Sequence, residues 1–147
     1  MMNWRSIGVA LATAVIVFTL AWAQVPPDSQ KCSAHMKKAL KALQLYLQDW
    51  DNMFPPATTA QKLSDALQPY AADKYVLTCP VTRKDYKTNP HITWRPASTY
   101  PKLNDVPVLY DAVPHKDKRY VVGFADGSVK VVTEKELAAI KQKARLK

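Results

Sequence analysis

Two cysteines, three histidines and twelve carboxylates are the side chains of this 147-residue chain best suited to chemistry. Cys32 and Cys79 lie far apart, and neither belongs to a Cys-x-x-Cys pair. The sequence therefore offers neither a dithiol redox motif nor a zinc-finger spacing. Asp49 and Asp51 follow a long apolar-periodic stretch. A carboxylate pair can transfer protons or hold calcium. Residues two apart do not share a helix face, however, and no Gly-bearing, oxygen-rich loop surrounds them. Helix termination is their expected role. Asp111, His115 and Asp126 are expected near one end of a sheet. His115 stands between Pro114 and Lys116, which predicts an exposed turn histidine, and His35 and His91 stand alone. There is no nucleophile elbow and no metal-spaced His pair, and three glycines do not make a phosphate loop. The expectation is a protein with no catalytic residue, no cofactor and no metal.

The element that would place these groups is the stretch Arg119 to Val132. Tyr120–Ala125 and Val129–Val132 are rich in β-branched and aromatic residues, and Asp126-Gly127 lies between them. That dipeptide predicts a β-hairpin with a type I′ turn, which needs φ > 0 at both central residues. Period-two alternation puts Tyr120, Val122 and Phe124 on one face and Val121, Gly123 and Ala125 on the other. Val106–Val113 reads as a third strand, completing an antiparallel meander. Such a small sheet needs cover.

Ser33–Trp50 supplies it. Cys32, Met36, Ala39, Leu40, Leu43, Tyr46, Leu47 and Trp50 recur at helical spacing, opposite Lys37, Lys38, Lys41, Gln44 and Gln48. Packing on the sheet and lying on a membrane surface are both open to such a helix; the sheet that needs cover favours the first. Val25–Ser29 reads as an exposed spacer before it, within residues 24–31. A second helix is expected from Thr58 or Thr59 to Tyr70, then an extended segment, Lys74–Pro80. Residues 81–102 are loop-rich, with a minor strand at Ile92–Trp94 or a contact surface made by Tyr86, Trp94 and Tyr100 as alternatives. Thr133 and Glu136 form a capping box for a last helix, Glu134 to about Arg145.

Length predicts one domain, residues 32–147, and 48% hydrophobic composition is enough for a modest core. The net charge is +9, but it is spread along the chain without a dense basic and aromatic cluster. That argues against specific nucleic-acid binding and for a solvated basic surface. Residues 1–23 carry one basic residue, Arg5, then an apolar run, Ile7–Leu20, then Ala21-Trp22-Ala23. This is the pattern of a secretory signal peptide, with cleavage expected before Gln24. A retained membrane anchor is the rival, but Ile7–Ala23 as a helix is about 25 Å long, short for a roughly 30 Å hydrocarbon core. Export, secreted or periplasmic, would put Cys32 and Cys79 in an oxidising compartment, where two cysteines usually pair. An intramolecular Cys32–Cys79 disulfide is the expectation, and two buried free thiols are the alternative.

Five landmarks occur in order. Cys32-Ser-Ala-His-Met-Lys-Lys-Ala-Leu opens the helix, and Leu45-Tyr-Leu-Gln-Asp-Trp-Asp-Asn-Met-Phe-Pro-Pro56 closes it. Leu67-Gln-Pro-Tyr70, Val76-Leu-Thr-Cys-Pro80 and His115 to Gly127 follow. Together they resemble the bacterial prepilin-like proteins whose hallmark is a C-terminal H-X9-DG motif. The resemblance implies an α+β, pilin-like fold: a long N-terminal helix on a small antiparallel meander, with His115, Asp126 and Gly127 as the hallmark. It also implies a non-enzymatic structural or interaction role like that of a pseudopilin head, with envelope or secretion-system proteins as partners. Two departures matter. Ten residues separate His115 from Asp126, and no Gly-Phe-x-x-x-Glu processing site precedes the apolar run. A small extracytoplasmic ligand- or polymer-binding protein, using residues 81–102 and the basic surface, is the second expectation. Exposure of Tyr86, Trp94 and Tyr100 together would favour it.

Overall fold

The computed structural model describes residues 26–147. The expected signal peptide, its cleavage point before Gln24 and the first two residues of the spacer lie outside them. The described residues form an α+β fold with three α-helices and a four-stranded antiparallel sheet. The helices are α1 (Pro27–Asp49), α2 (Ala60–Leu67) and α3 (Glu134–Lys143). The strands are β1 (Lys87–Thr88), β2 (Pro107–Tyr110), β3 (Arg119–Phe124) and β4 (Val129–Thr133), in the order β1-β2-β3-β4.

The two sheet faces follow the alternation in the sequence. Val121 and Ala125 join the main core with Met36, Leu40, Leu43 and Leu47 of α1. Tyr110, Val122, Phe124 and Val132 form a second cluster with Leu137 of α3. Both faces are therefore covered, so Phe124 and Val122 are core without meeting α1. Gly123 sits directly against Met36 and Leu40 of α1. A Cβ there would lie 2.9 Å from both the Leu40 Cδ1 and Met36 Sδ atoms. Gly123→Val should cost about 1–3 kcal/mol in urea unfolding, because two buried side chains must leave their rotamers. An unchanged midpoint would show that α1 can slide away.

The helix on the sheet starts earlier than expected. Pro26 is the N-cap and Pro27 the first helical residue, so these prolines begin α1 instead of preceding it as spacer. Proline suits that position, since its missing N–H would have no intrahelical partner there. Ser29, expected in the exposed spacer, is buried and donates from Oγ to Asp117 Oδ2 at 3.1 Å. Gln44, expected on the polar face, donates to the Ala125 carbonyl at 2.6 Å and fixes α1 to the hairpin end.

Three further expectations are corrected. The hairpin turn is not type I′, since of Asp126 and Gly127 only Gly127 has positive φ, at 89°. Phe124 N–H donates to Ser128 O and Gly127 N–H to Phe124 O, each at 2.9 Å. This is a three-residue loop with Gly127 in the left-handed bulge position, the next most common hairpin solution. The minor strand lies at Lys87–Thr88, not Ile92–Trp94, where Pro90–Ile92 is a 3₁₀ turn. Residues 74–77 are turns, and only Thr78 of the expected extended segment bridges, to Asp85.

The second and third helices have their expected caps. Thr59 Oγ1 accepts from Lys62 N–H at 3.2 Å. Thr133 Oγ1 accepts from Glu136 N–H, and the Glu136 carboxylate accepts from Thr133 N–H at 2.7 Å, closing the capping box. Thr133→Ala should cost about 0.5–2 kcal/mol. Bonds from the Thr133 backbone and hydroxyl hold the Glu136 carboxyl below its usual range. A carboxyl lowered in the folded state gives stability that is full above its unfolded pKa and lost as pH falls through the folded one. The cost of Thr133→Ala should accordingly shrink on acidification below the ordinary Glu range. A pH-independent cost in urea titrations would refute the reciprocal cap.

Candidate functional site

A polar cluster lies inside the main core where four separate segments meet. Cys32 comes from the second turn of α1 and Cys79 from the turn after Thr78. Asp111 follows the last residue of β2, and His115 starts the turn into β3. All four are buried, and one ligand-capable atom of each lies within 4.8 Å of all the others. His115 Nε2 meets Asp111 Oδ2 at 2.8 Å, with the two side chains 0% and 1% exposed. Asp111 Oδ2 also accepts from Val121 N–H at 2.6 Å, and Asp111 Oδ1 accepts from the Cys32 thiol at 3.3 Å. Tyr86 brings its hydroxyl to 3.4 Å from Cys32 Sγ. Thr82 N–H donates to Cys79 Sγ at 3.5 Å.

Local structure explains each position. The apolar run of β2 carries Asp111 inward, and its carboxylate replaces a ladder carbonyl as the acceptor for Val121 N–H. The turn His115–Lys118 closes with Lys118 N–H donating to His115 O, and Lys118 takes φ 60°. Asp117 of the same turn receives Ser29 Oγ, so the first turn of α1 holds His115 down over the core. Cys79 sits in a tight turn in which Arg83 N–H returns to Cys79 O at 2.9 Å and Arg83 takes φ 58°.

The electrostatics follow from burial and mutual contact. Burial raises the Asp111 carboxyl above its usual range, while Val121 N–H and His115 oppose that rise. The Cys32 thiol is pushed up, first by the facing Cys79 sulfur and then by burial. The same proximity, with help from Thr82, holds the Cys79 sulfur well below the usual thiol range. Burial also raises the Tyr86 phenol, and Cys32 adds to it. His115 Nδ1 is buried with no partner among the described residues.

The structure redistributes the expected site residues. His115 is buried, not exposed on its turn, because Asp111 pairs with it and Ser29 anchors the same loop. Cys32 and Cys79 come together in the cluster, and no bond joins their sulfurs in this structure. Asp126 and Gly127 stay at the hairpin tip, where Asp126 Oδ1 accepts from Ser128 N–H and the Ser128 hydroxyl. Asp49 is exposed and accepts from the Tyr70 hydroxyl at 2.9 Å, and Asp51 is exposed at φ 48°. His35 and His91 bond to the Tyr75 and Arg145 carbonyls respectively and are not among the four clustered residues, although the His35 ring lies 6.5 Å from that of Tyr86. Asp111 had one weak sign in the sequence: an acid directly after an apolar strand, four residues before a histidine.

The three aromatic residues of the 81–102 stretch do not share a surface. Tyr86 is 1% exposed, and Tyr100 packs edge-on against Phe54 with centroids 5.9 Å apart. Trp94 is 58% exposed and joins a different group. It lines a groove of about 410 Å³ with Tyr46, Trp50, Pro56 and Tyr70. Trp50, itself 53% exposed, stacks on Tyr46 at 5.4 Å and 8°. Trp94 also holds φ 56°, a left-handed conformation that a bulky side chain rarely adopts.

Among the described residues no helix is long and apolar enough to cross a membrane. Comparison with protein-family models, curated proteins and solved structures finds no match.

Proposed function

We propose that this chain is an exported, non-enzymatic structural or interaction module, similar to the globular head of a pseudopilin, that meets another envelope protein through the Trp50–Trp94 groove. The observation that carries this reading is the division of the three aromatics of residues 81–102. Tyr86 belongs to the core and Tyr100 is packed on Phe54, which supports a structural head over a ligand pocket in that stretch. Two tryptophans each more than half exposed, beside Pro56 and Tyr70, suit a protein partner, since aromatic anchors dominate such interfaces. The long helix laid across an antiparallel meander supports the pilin-like likeness. The left-handed backbone at Trp94 fits a side chain kept for contact, because local strain of this kind gathers at binding sites.

The test is site-specific photo-crosslinking in the native host. A crosslinking residue at Lys62, which lines the same groove, should capture an envelope protein in the membrane or periplasmic fraction, and one at Lys116 should not. Recovery of the chain in the cytoplasm with Met1 intact would overturn export. Equal capture from both positions would overturn the groove. Trp94→Gly should abolish capture while leaving unfolding free energy within about 1 kcal/mol of the parent, since glycine accepts positive φ. A larger loss of stability would mean that Trp94 supports the fold instead.

A further inference from the structure

We infer that Cys32, Cys79, Asp111 and His115 form a tetrahedral site for one zinc-class divalent ion, set inside the core where α1 crosses the sheet. Each part of the donor set suits that ion. Two sulfurs, an imidazole nitrogen and a carboxylate oxygen match the ligands zinc accepts, and the thiols disfavour calcium and magnesium. Bond lengths of about 2.0–2.3 Å put ligands of a tetrahedral zinc roughly 3.3–3.8 Å apart. The donors here run from 2.8 Å between His115 and Asp111, through 3.3 Å between Cys32 and Asp111, to no more than 4.8 Å. Shifts of about half an ångström to one ångström would therefore bring them onto a common centre, with the ion replacing the direct His115–Asp111 contact.

The surroundings supply what a metal's ligands need. Backbone N–H groups of Thr82 and Val121 point at the Cys79 sulfur and the Asp111 carboxylate, and the Tyr86 hydroxyl reaches the Cys32 sulfur. Such outer contacts orient ligands and stabilise their anionic forms. A disulfide between Cys32 and Cys79 would employ only two of the four residues and would leave the Asp111–His115 pair without a role in it. On binding, the thiol protons pass to solvent, so affinity should fall as pH drops. The inference does not depend on export or on the Trp50–Trp94 groove.

The test uses the full chain purified under reducing conditions without chelator. Elemental analysis should find one zinc per chain. Replacement by cobalt should give the intense visible bands of a tetrahedral centre and a thiolate-to-cobalt charge-transfer band. Alkylation of the thiols should be slow until a strong chelator is added. Asp111→Asn and Cys79→Ser should each weaken binding at least tenfold. If Cys79→Ser does not fold, Asp111→Asn and His115→Gln, which keep side-chain shape, carry the comparison. A weak, octahedral cobalt spectrum, no metal uptake by the reduced chain, or the same affinity in Asp111→Asn would each overturn the site. So would a native chain two hydrogens lighter than the dithiol and free of metal, which would assign the cysteines to a disulfide.

Discussion

Asp111→Ala is expected to destabilise the fold by about 3–5 kcal/mol, because it leaves several buried groups without their hydrogen-bond partner at about 1–3 kcal/mol each. Three groups lose their acceptor at once: His115 Nε2 at 2.8 Å, Val121 N–H at 2.6 Å and the Cys32 thiol at 3.3 Å. None of them can turn to water, because His115, Val121 and Cys32 are all buried. An unsatisfied buried donor carries its full desolvation penalty, which exceeds the net worth of the bond it made. The double variant Asp111→Leu with His115→Leu should therefore cost less than Asp111→Ala alone, since it strands neither a charge nor an imidazole. Urea unfolding of both variants checks this. A cost for Asp111→Ala below about 1 kcal/mol, or a double variant as costly as the two single changes added, would mean that the pair is not the polar centre of the core.

Leu43→Ala should cost about 2–5 kcal/mol, the range for emptying a fully buried leucine site. Leu43 is 1% exposed on the face of α1 that meets the sheet, amid the cluster that includes Leu40 and Leu47. Rigid elements surround the space it would leave, so little collapse can offset the cavity. Leu45→Ala, on the same helix but 39% exposed, should stay within about 0.5 kcal/mol. Chemical denaturation of the two variants side by side separates loss of packing from loss of helix propensity, since both substitutions place alanine in the same helix. Equal costs would overturn the assignment of the buried face.

Much of the fold was legible in the sequence because its determinants are local. Alternation at period two put Val121, Gly123 and Ala125 on one face and Val122 and Phe124 on the other, and the structure buries those two faces separately. Helical spacing identified the buried stripe of α1 from Cys32 to Leu47. The Thr133–Glu136 box marked the start of α3 to the residue, because cap and helix lie within four positions. Asp-Gly marked a hairpin but not its turn type. Both an Asp-Gly pair in a two-residue loop and a three-residue loop ending in left-handed Gly127 satisfy the same dipeptide, and the strand register chose between them. Pro26-Pro27 carried a similar ambiguity. Proline ends a helix from within and begins one at its first position, and the packing of Ser29 and Cys32 decided for the second.

The polar cluster was the work of tertiary structure alone. Cys32, Cys79, Asp111 and His115 have no spacing that links them, since two of the intervals exceed thirty residues and only Asp111 and His115 are near neighbours. His115, beside Pro114 and Lys116, has the sequence surroundings of an exposed turn. Its burial was decided by distant partners: Ser29 holding Asp117, and Asp111 turned inward at the end of β2. The sequence by itself determined which faces would be apolar, because the periods of helix and strand are properties of the local backbone. Which polar side chains those faces would enclose depended on how α1, the Cys79 turn and the β2–β3 turn converge, and no local pattern encodes that convergence.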